Sequence, residues 1–508
     1  MTLPGTAASY WIESSTATSY PPLTEDIDID VAVVGGGIAG ISTAFELIRA
    51  GRSVRVLEAG QIAAAVTGHT TGRLSAAHPW IYRPLRERQG AEAARLYACS
   101  QQNAVDHVAA TASALGIDCE IERRPSHVFT DDEDQADALR AEAEAVKDAG
   151  LDASFVTETD LPFTVAGALR VEGQIQFHPR RYLVGLAEAI VRDGGLVHEN
   201  TRVNDIEEGE PCTLRTEHGA IVRAQDVVVA TLAPVFEQLR LSTRLSAVRE
   251  LVVAAPISAD RDPGGMYITR ELNTRSVRTA PLPDGRRLLL ITGEAFAPGS
   301  GQVAERYERL IDWAREHFGA TEITHRWSAQ DTETTDTLPW IGHAPGTDHI
   351  YLATGYARSG MSHGVMTGRL LADLLTGRTP AWADLYDPGR VHPIHEASGT
   401  AKNLAAVAGH YAGDRVDAAT GSIEDVPRGG GRVVTIGGRP CAVHRGEHGN
   451  LTVLSAACPH RGCLVAFNDT ERTWECPCHG SRFAADGTLL DGPANRPLGP
   501  ITMDDQAK

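Results

Sequence analysis

Residues 28–59 begin Asp-Ile-Asp-Val-Ala-Val-Val-Gly-Gly-Gly-Ile-Ala-Gly and end Ser-Val-Arg-Val-Leu-Glu-Ala. The order is an apolar strand, a glycine turn, a helical stretch, a second strand and an acid. In such a unit Gly35 makes the tight turn, Gly37 lets a pyrophosphate approach the backbone, and Gly40 lets the helix pack closely on the strand. The helix N-terminus then faces the phosphates, and Glu58 is placed to bind a ribose hydroxyl. The segment therefore predicts a dinucleotide-binding βαβ unit.

Two later segments bear on which dinucleotide is bound. Residues 225–233 are typical of a buried strand, and residues 350–356 predict another that leads into Ser359-Gly360-Met361 and a helix at about 364–375. This strand, glycine-rich turn and helix start could form a second backbone cradle against a flavin; the alternative is an ordinary turn between a strand and a helix. We find no second glycine fingerprint for a nicotinamide nucleotide between residues 73 and 326. These features favour FAD over NAD.

The C-terminal part carries two cysteine and histidine motifs. They read Cys458-Pro-His460-Arg-Gly-Cys463 and Cys476-Pro-Cys478-His479-Gly480-Ser481. A Cys-x-His pair and a Cys-x-x-His pair can hold a [2Fe–2S] cluster, with thiolates on one iron and imidazoles on the other. Zinc also accepts two cysteines and two histidines, but its sites usually pair cysteine with cysteine and histidine with histidine. The mixed pairs therefore indicate a site for one-electron chemistry.

At these motifs the sequence resembles the Rieske family over about residues 424–503, most closely the disulfide-containing branch of cytochrome bc complexes. The resemblance implies four cluster ligands, namely Cys458, His460, Cys476 and His479. It also implies a disulfide between Cys463 and Cys478, a covering loop at residues 492–494, and a hydrogen bond from Ser481 to a cluster sulfide. Phe483 stands where the branch has a tyrosine. One donor is therefore missing, and we expect a potential below the top of the family range of roughly −150 to +300 mV.

Residues of about 26–385 resemble the flavoprotein family of glycine oxidase, sarcosine oxidase and D-amino-acid oxidase, with Ser9-x-Trp11 similar to the leader of its amine oxidases. In that family a discontinuous domain holds FAD, and the intervening segments form a substrate domain with a β-sheet. The resemblance and the glycine motifs together predict contacts to FAD at Gly35, Gly37, Ile38, Ala39, Gly40, Glu58, Ala59, Val203, Thr231, Gly360 and Met361.

A further motif lies where the chain of this family crosses the flavin. It reads Thr67-Gly-His69-Thr-Thr-Gly72. Dimethylglycine and sarcosine dehydrogenases carry Thr-x-His-x-x-Gly there, with the histidine bonded covalently to the flavin. The resemblance makes His69 and Gly72 part of the cofactor site and His69 a candidate attachment point. The alternative is a polar loop histidine near the pyrophosphate.

Composition limits the location and the partners. The 508 residues carry a net charge of −19, which argues against nucleic acid or an anionic membrane surface as a partner. No apolar run reaches the length of a membrane span and no secretory signal is visible, so we expect a cytoplasmic protein. Cys99, Cys119, Cys212 and Cys441 show no metal spacing and are expected to be unpaired thiols. The oligomeric state is left open.

These features predict the fold class and the domains. We expect an α/β Rossmann-like FAD domain interleaved with an α+β substrate domain, and a C-terminal all-β Rieske domain. The predicted boundaries are a leader at 1–27, the oxidoreductase at 28–387, a linker with a helix (397–411) at 388–424 and the cluster domain at 425–508. Within the oxidoreductase, FAD-binding segments are expected at about 28–75, 175–235 and 325–387, and substrate-domain segments at about 76–174 and 236–324.

The predicted function is that of a dehydrogenase. A small amine or amino acid would pass a hydride to FAD, and the electrons would leave singly through the cluster to an external one-electron carrier. Candidate pocket residues are His178, Tyr356, Arg358 and His363, with the Arg358 fork suited to a substrate carboxylate. Two alternatives stay open. The cluster could instead deliver electrons to FAD for a reductive or oxygen-dependent reaction, or both cofactors could be regulatory in a redox sensor.

Overall fold

A computed structural model describes residues 3–235, 241, 244–269, 274–390 and 421–501, together with the alternate positions 401, 403, 405, 407 and 409. Those five positions are helical and fall within the helix predicted at 397–411, whose other positions lie outside the described residues. Val407 packs against the core of the C-terminal domain. None of the described helices combines the length and the apolar character that a membrane span needs.

The helices follow one another in chain order. They are α1 (Tyr10–Glu13), α2 (Ile38–Arg49), α3 (Val66–His69), α4 (Tyr82–Gln89), α5 (Ala91–Leu115), α6 (Glu133–Asp148), α7 (Pro179–Arg192), α8 (Val303–Phe318), α9 (Gly360–Leu375) and α10 (Ala383–Tyr386). The sequence segments 91–115 and 133–149 are rich in alanine and have the apolar period of a helix. They form α5 and α6, and Ala149 is the C-cap of α6. Helix α9 begins at Gly360, directly after the glycine-rich turn and four residues earlier than the sequence suggested.

The strands are short and numerous. They are β1 (Ile27–Val34), β2 (Val54–Leu57), β3 (Arg73–Leu74), β4 (Glu122–Thr130), β5 (Ala153–Val156), β6 (Gly167–Gln176), β7 (Leu196–His198), β8 (Val203–Glu207), β9 (Cys212–Thr216), β10 (Ile221–Val229), β11 (Leu245–Ile257), β12 (Met266–Thr269), β13 (Arg275–Pro281), β14 (Arg287–Phe296), β15 (His325–Thr334), β16 (Trp340–His343), β17 (Ile350–Thr354), β18 (Gly431–Ile436), β19 (Arg439–Arg445), β20 (Leu451–Ser455), β21 (Ala466–Asn468), β22 (Thr473–Glu475), β23 (Arg482–Ala484) and β24 (Leu489–Asp491).

The first sheet is built around the predicted βαβ unit. Its order is β16-β17-β10-β1-β2-β7, and β1 pairs in parallel with both β2 and β10. Residues 31–34 of β1 are buried: Val31 and Val33 pack in one core with α2, and Ala32 and Val34 pack in another with β8 and β9. Helix α2 packs between this sheet and α9, so the two predicted glycine turns open toward the same end of the sheet. The Rossmann-like part of the predicted fold is confirmed.

The second sheet forms the α+β part. Its order is β15-β11-β14-β13-β12-β4-β6-β3, with β5 paired to β6. Strand β15 pairs antiparallel with β11 from Leu245 opposite Thr334 to Ala254 opposite His325. Residues 325–334 therefore belong to this sheet, whereas the sequence placed them in an FAD-binding segment. The reason is that the strand alternates buried and partly buried residues, a pattern that suits either sheet and is decided only by its partner.

The C-terminal domain contains two antiparallel sheets, β18-β19-β20 and β21-β22-β23-β24. Trp474 and Phe483 are completely buried in its core, together with Cys458, Cys463 and Cys476. The domain is all-β, as predicted.

Candidate functional site

The glycine turn after β1 has no room for side chains. Gly35 has a φ of +111°, and a Cβ there would lie 2.7 Å from the carbonyl oxygen of Ala230. A Cβ on Gly40 would lie 1.8 Å from the carbonyl oxygen of Gly35, so only glycine lets α2 pack so close to the turn. These contacts fit the role of the fingerprint in opening a backbone cradle for a pyrophosphate.

Glu58 directly follows β2, beside this turn. Its carboxylate accepts hydrogen bonds of 2.7 Å from the backbone N–H groups of Gly36 and Gly60, which fix its orientation. Burial raises the pKa of Glu58 against the lowering effect of these two bonds and of the nearby Arg202. Carboxylate oxygens have further lone pairs, so the anchored side chain can still accept from a ribose hydroxyl.

A single cavity, here called the cradle cavity, opens from the glycine turn. Its lining includes most of the predicted FAD contacts, namely Gly35, Gly37, Ile38, Ala39, Glu58, Ala59, His69, Val203, Thr231, Gly360 and Met361. Gly40 and Gly72 do not line it. Gly40 packs behind the turn, and a Cβ on Gly72 would lie 2.6 Å from the carbonyl oxygen of Phe177. The arrangement fits a long, bent dinucleotide cofactor.

His69 lies in the cavity wall at the end of α3. Its Nδ1 is 2.8 Å from the carbonyl oxygen of Ala65, and Trp327 Nε1 donates to its backbone carbonyl at 2.8 Å. Because a carbonyl only accepts, Nδ1 carries the hydrogen of the neutral ring and Nε2 keeps a lone pair. Burial lowers the pKa of His69, which favours this neutral form. The position suits bond formation to a flavin, and covalent attachment stays a prediction.

Two of the four predicted pocket residues lie outside the cradle cavity. His178 caps the N-terminus of α7, where it accepts from the backbone of Arg181, and its ring packs 4.9 Å from that of Trp11. His363 lies on the buried face of α9, 3.2 Å from the Tyr97 hydroxyl. Burial lowers the pKa of both rings, to about 3 and about 4. The structure gives both histidines a packing role, which the sequence could not separate from a pocket role.

Tyr356 and Arg358 do line the cradle cavity. The Arg358 guanidinium is engaged by two carboxylates, Glu333 at 3.0 Å and Glu250 at 3.1 Å. Its backbone N–H donates to Asp331 at 2.5 Å. The Arg358 guanidinium, which the sequence predicted to bind a substrate carboxylate, is therefore already paired with two carboxylates of the protein.

Residues of the second sheet that the sequence did not single out form the facing wall. They are Val248, Glu250, Val252, Thr292, Gln330 and Asp331. Burial, and to a smaller extent Glu333, raises the pKa of Asp331 to about 7 against the hydrogen bonds that lower it. The polar residues of β15 were the signal in the sequence that could have indicated this wall. Which of them face the cavity became clear only from the pairing of β15 with β11.

In the C-terminal domain the two motifs bring four donor groups together. The rings of His460 and His479 lie 4.8 Å apart, and Cys458 and Cys476 are hydrogen-bonded to each other. Both histidine Nδ1 atoms are buried without a hydrogen-bond partner among the described residues. Burial lowers the pKa of each ring to about 4, so both are neutral, as metal ligands must be. Two unsatisfied imidazoles beside two thiols fit a cluster.

The other two cysteines are joined in a disulfide between Cys463 and Cys478. The sulfur atoms of these two and of Cys476 all lie within 4.8 Å of one another. Because the disulfide sulfurs carry no thiolate charge, Cys476 is the member of this trio that can bind iron. The disulfide ties the two motif loops together across a separation of 15 residues.

Ser481 and Phe483 surround the donor groups. The Ser481 hydroxyl donates to Cys458 and accepts from the backbone N–H of Ala494 at 3.0 Å. Phe483 is completely buried and offers no donor. The predicted lower potential stays a prediction.

The C-terminal domain closes one side of the cradle cavity. Residues 490–492, Ala494 and Asn495 form part of its wall. Gln330, in the facing wall, donates through Nε2 to the carbonyl oxygen of Gly480 at 2.8 Å, directly after His479. The completely buried Arg249 on β11 forms ion pairs with Glu475 and Glu471 of the C-terminal domain. The two sites therefore share one interface.

A dinucleotide cradle facing a mixed sheet, with a cluster domain against the same cavity, defines a flavoprotein oxidoreductase with a built-in iron–sulfur domain. The FAD dependent oxidoreductase family model matches residues 30–374, and the Rieske [2Fe-2S] domain model matches residues 418–502. The chain belongs to the FAD-dependent oxidoreductase family and carries a C-terminal Rieske domain. Its cofactors are FAD and one [2Fe–2S] cluster.

One curated relative matches both parts of the chain, and the others match about three quarters of it. The chain is 33% identical over 499 residues to the Rieske 2Fe-2S iron-sulfur protein YhfW of Bacillus subtilis, with 98% of each chain covered. It is 27% identical over 399 residues to gamma-glutamylputrescine oxidoreductase of Escherichia coli, covering 74% of this chain and 92% of the relative. The crystal structure of glycine oxidase from Geobacillus kaustophilus matches with a TM-score of 0.60 and 22% identity, over 72% of this chain and 100% of that one. The last similarity is one of fold.

Proposed function

We propose that the protein oxidises an amine or amino acid in the cradle cavity and passes the electrons singly, through the Rieske domain, to an external carrier. The observation that carries the proposal is the shared wall. Gln330 lines the cavity and donates to the residue that follows the ligand candidate His479. When bound, FAD would supply two-electron chemistry and the cluster one-electron chemistry, so a cluster beside the flavin could accept its electrons one at a time.

The residues of the chain have distinct roles in this proposal. The glycine turn and Glu58 bind the cofactor, and the wall of β11, β14 and β15 faces the substrate. Residues 490–495 of the Rieske domain close one side and exclude water, which strengthens electrostatic interactions inside the cavity. Cys458, His460, Cys476 and His479 are the proposed cluster ligands.

The substrate class rests on the relatives. Their names give glycine as the substrate of one and gamma-glutamylputrescine as the substrate of another. Both compounds contain a carbon–hydrogen bond next to an amine nitrogen, the bond that amine oxidation breaks. The facing wall carries polar groups that can orient such a nitrogen, with Glu250 and Asp331 among them.

The test is anaerobic mixing of the holoenzyme with a panel of amines and amino acids. We expect the flavin absorbance to bleach and the reduced-cluster EPR signal to appear after it. A His479→Ala variant, which lacks a ligand candidate, should bleach without the EPR signal. Bleaching of the wild type without cluster reduction would contradict the electron route. No bleaching with any compound would favour reverse electron flow or a regulatory role.

A further inference from the structure

The wall that faces the cofactor cradle has an excess of negative charge. Glu250 and Asp331 line it, and Glu333 lies next to them on β15. Arg358 is the cation among them, and it is shared between Glu250 and Glu333. If all four side chains are ionised, three carboxylates meet one guanidinium, which leaves the wall negative.

Among the described residues no cation forms an ion pair with Asp331, and the nearby Arg358 guanidinium, which lowers the pKa of Asp331, is bonded to Glu250 and Glu333 instead. Its carboxylate accepts from the backbone N–H groups of Thr332 at 2.7 Å and of Arg358 at 2.5 Å. Neutral backbone donors orient a carboxylate but do not cancel its charge. A buried carboxylate is costly unless an opposite charge approaches it.

Two further polar atoms of the same wall are unsatisfied. Gln330 Oε1 and Thr292 Oγ1 are buried and have no hydrogen-bond partner within the described part of the chain. Both residues are more than nine-tenths buried, and both line the cradle cavity. Gln330 is held in place by the bond from its Nε2 to Gly480, so its Oε1 is an acceptor with a fixed position. A ligand that donates N–H groups into the cavity would satisfy both atoms.

The wall offers little to a substrate carboxylate. Such a group would meet Glu250 and Asp331, and the fork of Arg358 is already engaged. The other arginine in the cavity lining, Arg202, lies beside Glu58 in the cofactor cradle. A zwitterionic amino acid would therefore place its negative end in a negative, partly desolvated site, which is unfavourable.

We infer that this wall selects a cationic amine without an α-carboxylate, whose ammonium group pairs with Asp331 and donates to Gln330 Oε1. The inference rests on the proposed amine oxidation and narrows its substrate class. Charge-assisted hydrogen bonds of this kind contribute about 1.5–3 kcal/mol, or roughly tenfold to a hundredfold in affinity.

Binding is tested first with two probes of the same shape and opposite charge. The tert-butylammonium ion has no hydrogen on the carbon next to nitrogen and cannot be oxidised there, and trimethylacetate is its anionic counterpart. With the holoenzyme, we expect tert-butylammonium to perturb the flavin spectrum and trimethylacetate to have no effect. Asp331→Asn should raise the dissociation constant of tert-butylammonium about tenfold to a hundredfold. Glu322→Gln, which removes an exposed acid, should leave it unchanged.

A second arm separates this inference from the proposed function. Butylamine and norvaline share their carbon chain and differ by one carboxylate, so each is mixed anaerobically with the holoenzyme. Faster bleaching by butylamine supports the inference. Three results would overturn the inference while amine oxidation stands. They are bleaching by norvaline alone, tighter binding of trimethylacetate than of tert-butylammonium, and unchanged tert-butylammonium binding in a folded, flavin-loaded Asp331→Asn variant. If neither compound bleaches the flavin but tert-butylammonium binds, the cation site stands and the proposed oxidation fails.

Discussion

Gln330 Nε2 donates a hydrogen bond of 2.8 Å to the carbonyl oxygen of Gly480, and this bond joins the cradle cavity to the cluster-binding loop. A side chain on Gly480 would collide with this contact, since its Cβ would lie 2.6 Å from the Cβ of Ala247 and 2.9 Å from Gln330 Nε2. The loop that carries His479 therefore packs directly on the second sheet. The relationship places the two redox sites of the proposed function against each other.

Replacing Gln330 tests this contact. A carboxylate cannot donate, so Gln330→Glu replaces an attraction to the Gly480 carbonyl by repulsion, at a cost of about 1–3 kcal/mol. We expect slower cluster reduction after flavin bleaching and a shifted cluster potential, measured by stopped-flow absorbance and EPR-monitored titration. Gln101→Glu, in a buried glutamine outside the cavity lining, is the control. Equal rates and potentials in wild type and Gln330→Glu would show that the contact is not used.

Arg249 holds the same interface by charge. It is completely buried between Glu475, also completely buried, and Glu471. Arg249→Met would leave Glu471 and Glu475 with Arg482 as their remaining cation, at 3.0 Å and 3.8 Å. Breaking a buried ion pair costs up to about 3–5 kcal/mol. We expect a lower midpoint of thermal unfolding and loss of the cluster absorbance at that lower temperature. Arg249→Lys should recover part of the stability, and a variant as stable as wild type would contradict the role of this ion pair.

The proposed cluster ligands can be tested without a substrate. His479→Ala removes an imidazole whose Nδ1 is buried and unsatisfied among the described residues. We expect the EPR signal of the [2Fe–2S] cluster to disappear while FAD content is retained, because the glycine turn and Glu58 lie in the other domain. His448→Ala, at an exposed histidine of the same domain, should keep the signal. Retention of a normal signal in His479→Ala would remove this residue from the ligand set.

Covalent attachment through His69 predicts a simple outcome. The Nε2 lone pair faces no competing hydrogen bond in the described residues, since Nδ1 is the atom bonded to Ala65. Acid precipitation should leave yellow, fluorescent protein in wild type and release free FAD from His69→Ala. His218→Ala, at an exposed histidine, should behave as wild type. Complete release of FAD from wild type would leave His69 as a polar loop histidine.

Amine binding should depend on pH through Asp331. Burial raises the pKa of this carboxyl to about 7, so it is increasingly protonated and neutral as the pH falls below that value. The neutral acid does not attract an ammonium group. The affinity for tert-butylammonium should therefore fall between pH 8 and pH 6 in wild type, measured by flavin absorbance. The same titration of Asp331→Asn should be nearly flat in this range, and an equally steep wild-type and variant profile would contradict the assignment.

Several parts of the protein depend on local spacing and could be predicted from the sequence. The glycine fingerprint from Gly35 to Gly40 requires a backbone turn that tolerates no side chain, so it identified the cofactor cradle from one segment. The two motifs around Cys458 and Cys476 carry their cysteines and histidines at short spacings, and the spacing within each motif was enough to predict one shared site. The long helices α5 and α6 likewise followed from periodicity within each segment.

Other parts depend on contacts between distant segments and became visible only in the folded protein. His178 and Tyr356 were equivalent as sequence candidates, but only Tyr356 reaches the cradle cavity, because a side chain is directed by the packing of its element. The engagement of Arg358 by Glu250 joins positions 108 residues apart, and no local pattern encodes it. The contact of Gln330 with Gly480 spans 150 residues and arises from docking of one folded domain on another. Short motifs determine local backbone geometry, because the residues involved are neighbours in the chain. The charge and the contacts of a cavity depend instead on which distant segments pack against each other.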